Sequence, residues 1–196
     1  MKINETGRSM IEMLGVLAVI GVLSVGGFSL ISKMQNSYTI NQVVDTAGDL
    51  ASRTRIVMRD YEGSKGSSMN KFLCKAKAIP DSLRENMVTC SDDAFSGIGD
   101  VEYNVYYTYG SENSAATFVL QIKNVSEEMC MQIVTTNWGG PGSSGFLGMS
   151  VGDSYDSILT ATASEKVALV GSTSHPAPMG IGAAATACED GKNINM

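Results

Sequence analysis

An uncharged apolar run constrains this chain more than any other feature. From Met13 to Ile31 there are 19 residues whose only polar members are Ser24 and Ser29, and no charge occurs between Glu12 and Lys33. As a helix at ~1.5 Å per residue the run is ~29 Å long, close to the hydrocarbon thickness of a bilayer. A helix that is apolar on every side must be covered by lipid or by other apolar helices. Glu12 stands at the edge of the run. An acid near the centre of a membrane helix costs roughly 2.5–3.5 kcal/mol, and less near an interface, so a carboxylate kept there marks a function.

The helical pattern does not stop at Ile31. Ile40, Val43, Val44, Ala47, Leu50, Ala51, Val57, Met58 and Tyr61 recur mostly at three- and four-residue spacing, with Asp45, Asp49, Arg53, Arg55 and Arg59 mostly between them. That period describes an amphipathic helix with one buried stripe. No proline interrupts the chain from Arg8 to Tyr61, and Gly63 is a natural stop. We therefore expect one helix over 8–62, with 8–32 forming a transmembrane or filament-core part and 33–62 an amphipathic part. Gly15, Gly21, Gly26 and Gly27 each cost roughly 1 kcal/mol relative to Ala in an ordinary helix. Close helix–helix packing explains them, as does a point near Gly26-Gly27 where the helix stretches.

Beyond the helix the texture changes. Gly63–Ser68 reads as a connector, Met69–Ala78 has weak helical character, and Asp81-Ser82-Leu83-Arg84 starts a short helix after Pro80. Val101–Tyr109 alternates and is rich in aromatic and β-branched residues, Gly110–Ser114 is a turn, and Ala116–Val125 is a second strand. Met129–Thr136 is expected as a third, giving a hairpin-and-meander antiparallel sheet over 101–136. Asn137–Gly145 is too rich in glycine for regular structure. A short helix over Asp153–Ala163, a strand over Lys166–Val170 and an irregular tail over Gly171–Met196 complete the expectation. The fold class is α+β, with the long helix covering one face of the sheet.

Four cysteines, at 74, 90, 130 and 188, have no CxxC spacing, and the chain has a single histidine, so a zinc site is not indicated. An even number beyond a membrane segment points to disulfides in an oxidising compartment, with three pairings open. The net charge of −6 argues against strong nucleic-acid binding. Gly140-Pro141-Gly142-Ser-Ser-Gly145 matches a dinucleotide spacing but lacks the following helix and the βαβ unit. His175 lies in a Pro-containing loop without a nucleophile motif, and reads as a surface histidine. We expect no enzymatic activity, no cofactor and no metal.

Gly7-Arg8-Ser9-Met10-Ile11-Glu12, followed by the apolar run, resembles the class III signal of the type IV pilin family. In that family a membrane peptidase cuts after the glycine and methylates the new amino terminus. The resemblance implies a leader over 1–7, cleavage between Gly7 and Arg8, methylation of Arg8, and Glu12 as the fifth residue of the mature chain. Arg8 departs from the Phe or Met common at that position, and the run lacks the proline many members carry. A conventional signal peptide ending near Ser24-Val25-Gly26 would explain neither Glu12 nor the continuing helical pattern.

The resemblance further implies a long helix on a globular head over 63–196, with an αβ-loop over 63–100 and a disulfide-closed C-terminal region over 130–188. Bridges Cys74–Cys90 and Cys130–Cys188 would each close one excursion without crossing the other. The function implied is that of a structural subunit of a type IV pilus, waiting in the bacterial inner membrane and then extracellular. Its partners would be copies of itself in a helical filament, the prepilin peptidase, the pilus assembly machinery and, before assembly, the membrane. The alternatives are a pseudopilin of a type II secretion system and a minor tip pilin that acts as a binding module. Pseudopilins suggest calcium at Asp153 with Asp156 or Glu189 with Asp190, yet without EF-hand spacing these read as solvated acids.

Overall fold

A computed structural model describes residues 6–84, 89–109, 116–140, 143–155, 166–189 and 193–196, with the backbone alone described for 6–12, 22–33 and 109. Helix α1, Thr6–Val57, has 52 residues. The chain divides into two compact units, Met1–Thr39 and Ile40–Met196. Leader residues 1–5 lie outside the described residues, as does the short helix expected at Asp153–Ala163 from residue 156 onward.

The helix ends earlier than its periodicity suggests. A single 3-10 turn, Met58–Asp60, follows Val57, and Tyr61 is extended at φ −90°, ψ 122°. Tertiary contacts pull Tyr61 out of the helix. Its Oη donates to the Ser68 carbonyl at 2.9 Å and bonds the Ser67 hydroxyl at 2.8 Å, and its ring packs against Phe72 and Tyr107.

In the second unit, Ile40, Val43, Ala47, Leu50 and Thr54 form a stripe at alternating three- and four-residue spacing, and all five are buried. The Thr54 hydroxyl returns to the Leu50 carbonyl at 2.7 Å, so burying it leaves no unpaired donor. Against this stripe lies a six-stranded sheet, β1 Phe95–Ser96, β2 Glu102–Tyr109, β3 Ala116–Lys123, β4 Gly148–Val151, β5 Val167–Leu169 and β6 Asn193–Asn195. Its order is β1-β2-β3-β6-β4-β5, and every neighbouring pair is antiparallel. Tyr103 of β2 donates to the Val43 carbonyl of α1 at 3.4 Å. The fold is α+β, with an N-terminal helix on an antiparallel sheet.

Three expectations are corrected here. Met129–Thr136 is not a strand; all of it but the C-cap Thr136 lies in helix α4, Glu127–Thr135. Ser126 caps it by accepting from the Met129 amide, two glutamates occupy its first turn, and Met129, Cys130, Ile133 and Val134 bury one face. An N-cap followed by acids favours a helix end, and pairs four apart lie on one helical face. The tail is not irregular either, since Ile181–Cys188 is helix α5 and Asn193–Asn195 is β6. Three consecutive alanines explain α5. Finally, the sheet is no meander over 101–136, because the C-terminal strand β6 enters its middle, between β3 and β4.

Between α1 and β1 lie helices α2, Asn70–Lys75, and α3, Asp81–Arg84, and Asn70 pins the first of them. Its amide donates to the Asp93 carbonyl at 2.8 Å and to Asn104 Oδ1 at 3.1 Å, while its own Oδ1 accepts from the Val105 amide at 3.0 Å. Backbone bonds from Gly66 and to Ser67 at Tyr107, and from Met69 to Val105, cover the outer edge of β2. The structure joins Cys74 to Cys90 and Cys130 to Cys188, with no free cysteine. The second bridge ties α4 to α5 and, in the chain-entropy account, contributes about 4 kcal/mol.

Candidate functional site

Gly7, Arg8 and Glu12 lie in α1, and their side chains are outside those described. The side chains that follow them are described. Met13, Leu14, Val16, Leu17, Val19 and Ile20 are each more than half exposed. At ~100° per residue these six positions reach every side of the helix, so the surface has no polar back face. Each such side chain left in water forgoes about 1.5–3 kcal/mol of burial. Among the described residues no helix is long and apolar enough to cross a membrane, and residues 22–33 of the expected span lie outside those whose side chains are described.

Elsewhere the chemistry-bearing residues are dispersed. Among the described residues no group of three or more His, Cys, Asp or Glu side chains converges as a metal site would require. Asp153 accepts from Asn193 Nδ2 at 2.8 Å, whereas Asp156 and Asp190 lie outside the described residues. In the glycine-rich loop the amides of Ser143, Ser144 and Gly145 all donate to the Gly140 carbonyl, at 3.1, 2.9 and 3.0 Å. Those amides close the loop on itself instead of cradling an anion. His175 is half-buried, and its Nδ1 is buried without a hydrogen-bond partner among the described residues.

One feature escaped sequence reasoning. A largely apolar cleft of about 540 Å³ opens between Met58 of the 3-10 turn after α1, Phe118 of β3, Trp138, Phe146 and Met196. Trp138 is fixed by its indole N–H, which donates to the Ile133 carbonyl at 2.9 Å. Arg55 stands at the cleft beside Gly145, where a β-carbon would sit 3.2–3.4 Å from the guanidinium atoms. Burial raises the Tyr106 phenol above its ordinary pKa, with its stacked neighbour Tyr155 adding to the shift.

No protein-family model matches the chain. No curated protein matches it at a significant level. Among solved structures, the chain is similar to a type IVb pilin from Salmonella typhi at 17% identity, over 78% of this chain and 93% of that one, with a TM-score of 0.49.

Proposed function

We propose that this chain is a structural subunit of a type IV pilus and not an enzyme. The observation that carries the proposal is an apolar helix surface exposed on every side, directly behind Glu12 in the Gly7–Glu12 signal. Such a surface needs a cover from outside its own fold. In the proposed cycle that cover is first lipid, with the Ile40–Met196 unit in the periplasm, and then the equivalent helices of other subunits. The exchange of lipid for helices is nearly neutral in hydrophobic terms, so packing and polar contacts give it direction. The two disulfides fit an oxidising compartment.

Glu12 supplies the polar contact. Cleavage after Gly7 leaves the amine of Arg8 about 6 Å along the helix axis from Glu12, an awkward span for pairing within one chain. A neighbour shifted by one helical turn brings its amine to this carboxylate. At ~4 Å and an effective dielectric near 20 the attraction is about 4 kcal/mol before desolvation, which offsets much of it. The larger effect is register, because a misplaced subunit leaves a carboxylate unpaired in an apolar core.

Amino-terminal sequencing of the mature protein tests the processing step. The expected first residue is Arg8, with or without a methyl group. A first residue near Gly27 or Phe28 would assign the segment to an ordinary signal peptidase and end the pilin reading. Electron microscopy of sheared surface fibres, with mass spectrometry of their main band, separates a major pilin from a tip subunit or a pseudopilin.

A further inference from the structure

The two disulfides stand in unlike surroundings. Cys130 and Cys188 are 0% and 2% exposed, where α4 meets α5. Cys74 and Cys90 are only half-buried, the first in the last turn of α2 and the second ahead of β1. Exchange begins when a thiolate reaches one sulfur of a bridge. Burial therefore shields Cys130–Cys188 and leaves Cys74–Cys90 within reach.

Charge separates the two sulfurs of the accessible bridge. Between Glu62 and Asp81 the sequence has four lysines and neither an acid nor an arginine. Three of the four stand beside Cys74. Lys71 lies about one turn before it on α2, Lys75 follows it, and the Lys77 amide donates to the Cys74 carbonyl at 3.0 Å. All three are exposed, and among the described residues none of them forms an ion pair with a carboxylate. Cys90 is followed instead by Asp92 and Asp93, both exposed. Cations stabilise a thiolate and carboxylates oppose one, so Cys74 is the better leaving group and Cys90 the sulfur attacked. The carbonyl end of the six-residue α2 opposes a Cys74 thiolate with a fraction of one charge, against three lysines.

The surrounding fold has anchors of its own. Met69, Leu73, Ile79 and Leu83 are buried, and the Asn70 side chain bonds Asp93, Asn104 and Val105. Arg53 of α1 and Arg84 each donate to the Ile79 carbonyl at 3.4 Å, and beyond Cys90 the strand residue Phe95 pairs with Tyr103. Opening Cys74–Cys90 removes a closure constraint and leaves these contacts in place.

We propose that the Cys74–Cys90 bridge is a reversible modification site for small thiols. The thiolate of the small molecule attacks Cys90 Sγ and a new S–S bond forms there. The bond to Cys74 breaks, and its electron pair leaves on Cys74 Sγ. One thiolate enters and one is released, so the step consumes no oxidant or reductant. Attack by the Cys74 thiolate on Cys90 expels the small thiol and restores the bridge. This inference goes beyond the pilus reading and stands if that reading fails.

The test incubates the full chain, in phospholipid nanodiscs, with millimolar glutathione at neutral pH, then adds N-ethylmaleimide and maps the peptides. Glutathione is expected on Cys90 and the maleimide adduct on Cys74. The Cys74–Cys90 bridge should open at least about tenfold faster than Cys130–Cys188. Circular dichroism should keep its folded signal throughout. Lys71→Gln combined with Lys75→Gln should slow the opening by about twofold and even out the choice of sulfur. Equal opening of the two bridges, glutathione mainly on Cys74, opening only as the folded signal is lost, no glutathione adduct, or a lysine variant that behaves as wild type would each overturn the proposal.

Discussion

The two parts of α1 carry similar side chains in opposite surroundings. Leu17 and Ile20 are 63% and 53% exposed, whereas Leu50 and Ile40 are 0% and 1% exposed. The difference lies in what separates the apolar residues. Between Ile40 and Leu50 stand Asn41, Asp45 and Asp49, so that stretch has a wet face and a dry one, and its own chain covers the dry one. Between Met13 and Gly21 there is no polar residue, and a single domain can cover only one side of a helix. The first pattern specifies folding, while the second specifies association with something else.

The sharpest way to break this comparison is to place a charge in each part. Leu50→Asp buries an unpaired carboxylate and is expected to cost about 5 kcal/mol or more, enough to unfold the Ile40–Met196 unit. Leu17→Asp should leave the thermal unfolding of that unit unchanged and stop membrane insertion or fibre entry. Circular dichroism melts with a membrane-fraction assay read both. Equal loss of folding from the two substitutions would show that the first part also belongs to a folded core.

A smaller effect is expected from Cys188→Ser, which frees α5 from α4. Loss of the closure constraint costs about 4 kcal/mol in the chain-entropy account, against about 3 kcal/mol for Cys74→Ser with its shorter loop. Denaturant unfolding checks the order. Processing at Gly7 should be untouched in both, because the signal and the disulfides lie in different units.

The smallest effect concerns Tyr103. Burial alone pushes its phenol pKa well above the ordinary value of 10.0. The neutral form is therefore favoured in the folded chain, and its contribution to stability is complete below the unfolded-state pKa. That contribution declines as pH rises above about 10 toward the folded pKa. Tyr103→Phe should cost about 1 kcal/mol at neutral pH, through the lost bond to Val43, and should flatten the alkaline fall in stability. An unchanged alkaline limb would assign the fall to other groups.

Much of the architecture was legible because it rests on local periodicity. The three- and four-residue spacing gave α1, and the alternation of Val101–Tyr109 gave β2. Met129–Thr136 misled because a short apolar run fits either period, and the decisive signal was the Ser126 cap with Glu127 and Glu128 behind it. The place of β6 was not legible. Three residues carry too little pattern, and their position is set by distant partners, with Asn195 Nδ2 reaching the carbonyls of Gly152 and Ser154 at 3.0 and 3.2 Å while its Oδ1 accepts from Gln121 at 2.9 Å. The cleft was not legible either, since its lining comes from residues far apart in the sequence. Glu12 is the reverse case: its place between the Gly7 signal and the apolar run is visible in the sequence, whereas its side chain lies outside those described.

The most direct test of the account is a competition between wild-type and Glu12→Ala subunits, co-expressed and recovered from the same sheared fibres. The expected result is that the variant inserts into the membrane and loses residues 1–7 normally, yet is strongly under-represented in fibres, with Glu12→Gln behaving nearly the same. If the Glu12→Ala protein enters fibres as efficiently as wild type, the pairing between Glu12 and a neighbouring amine is contradicted.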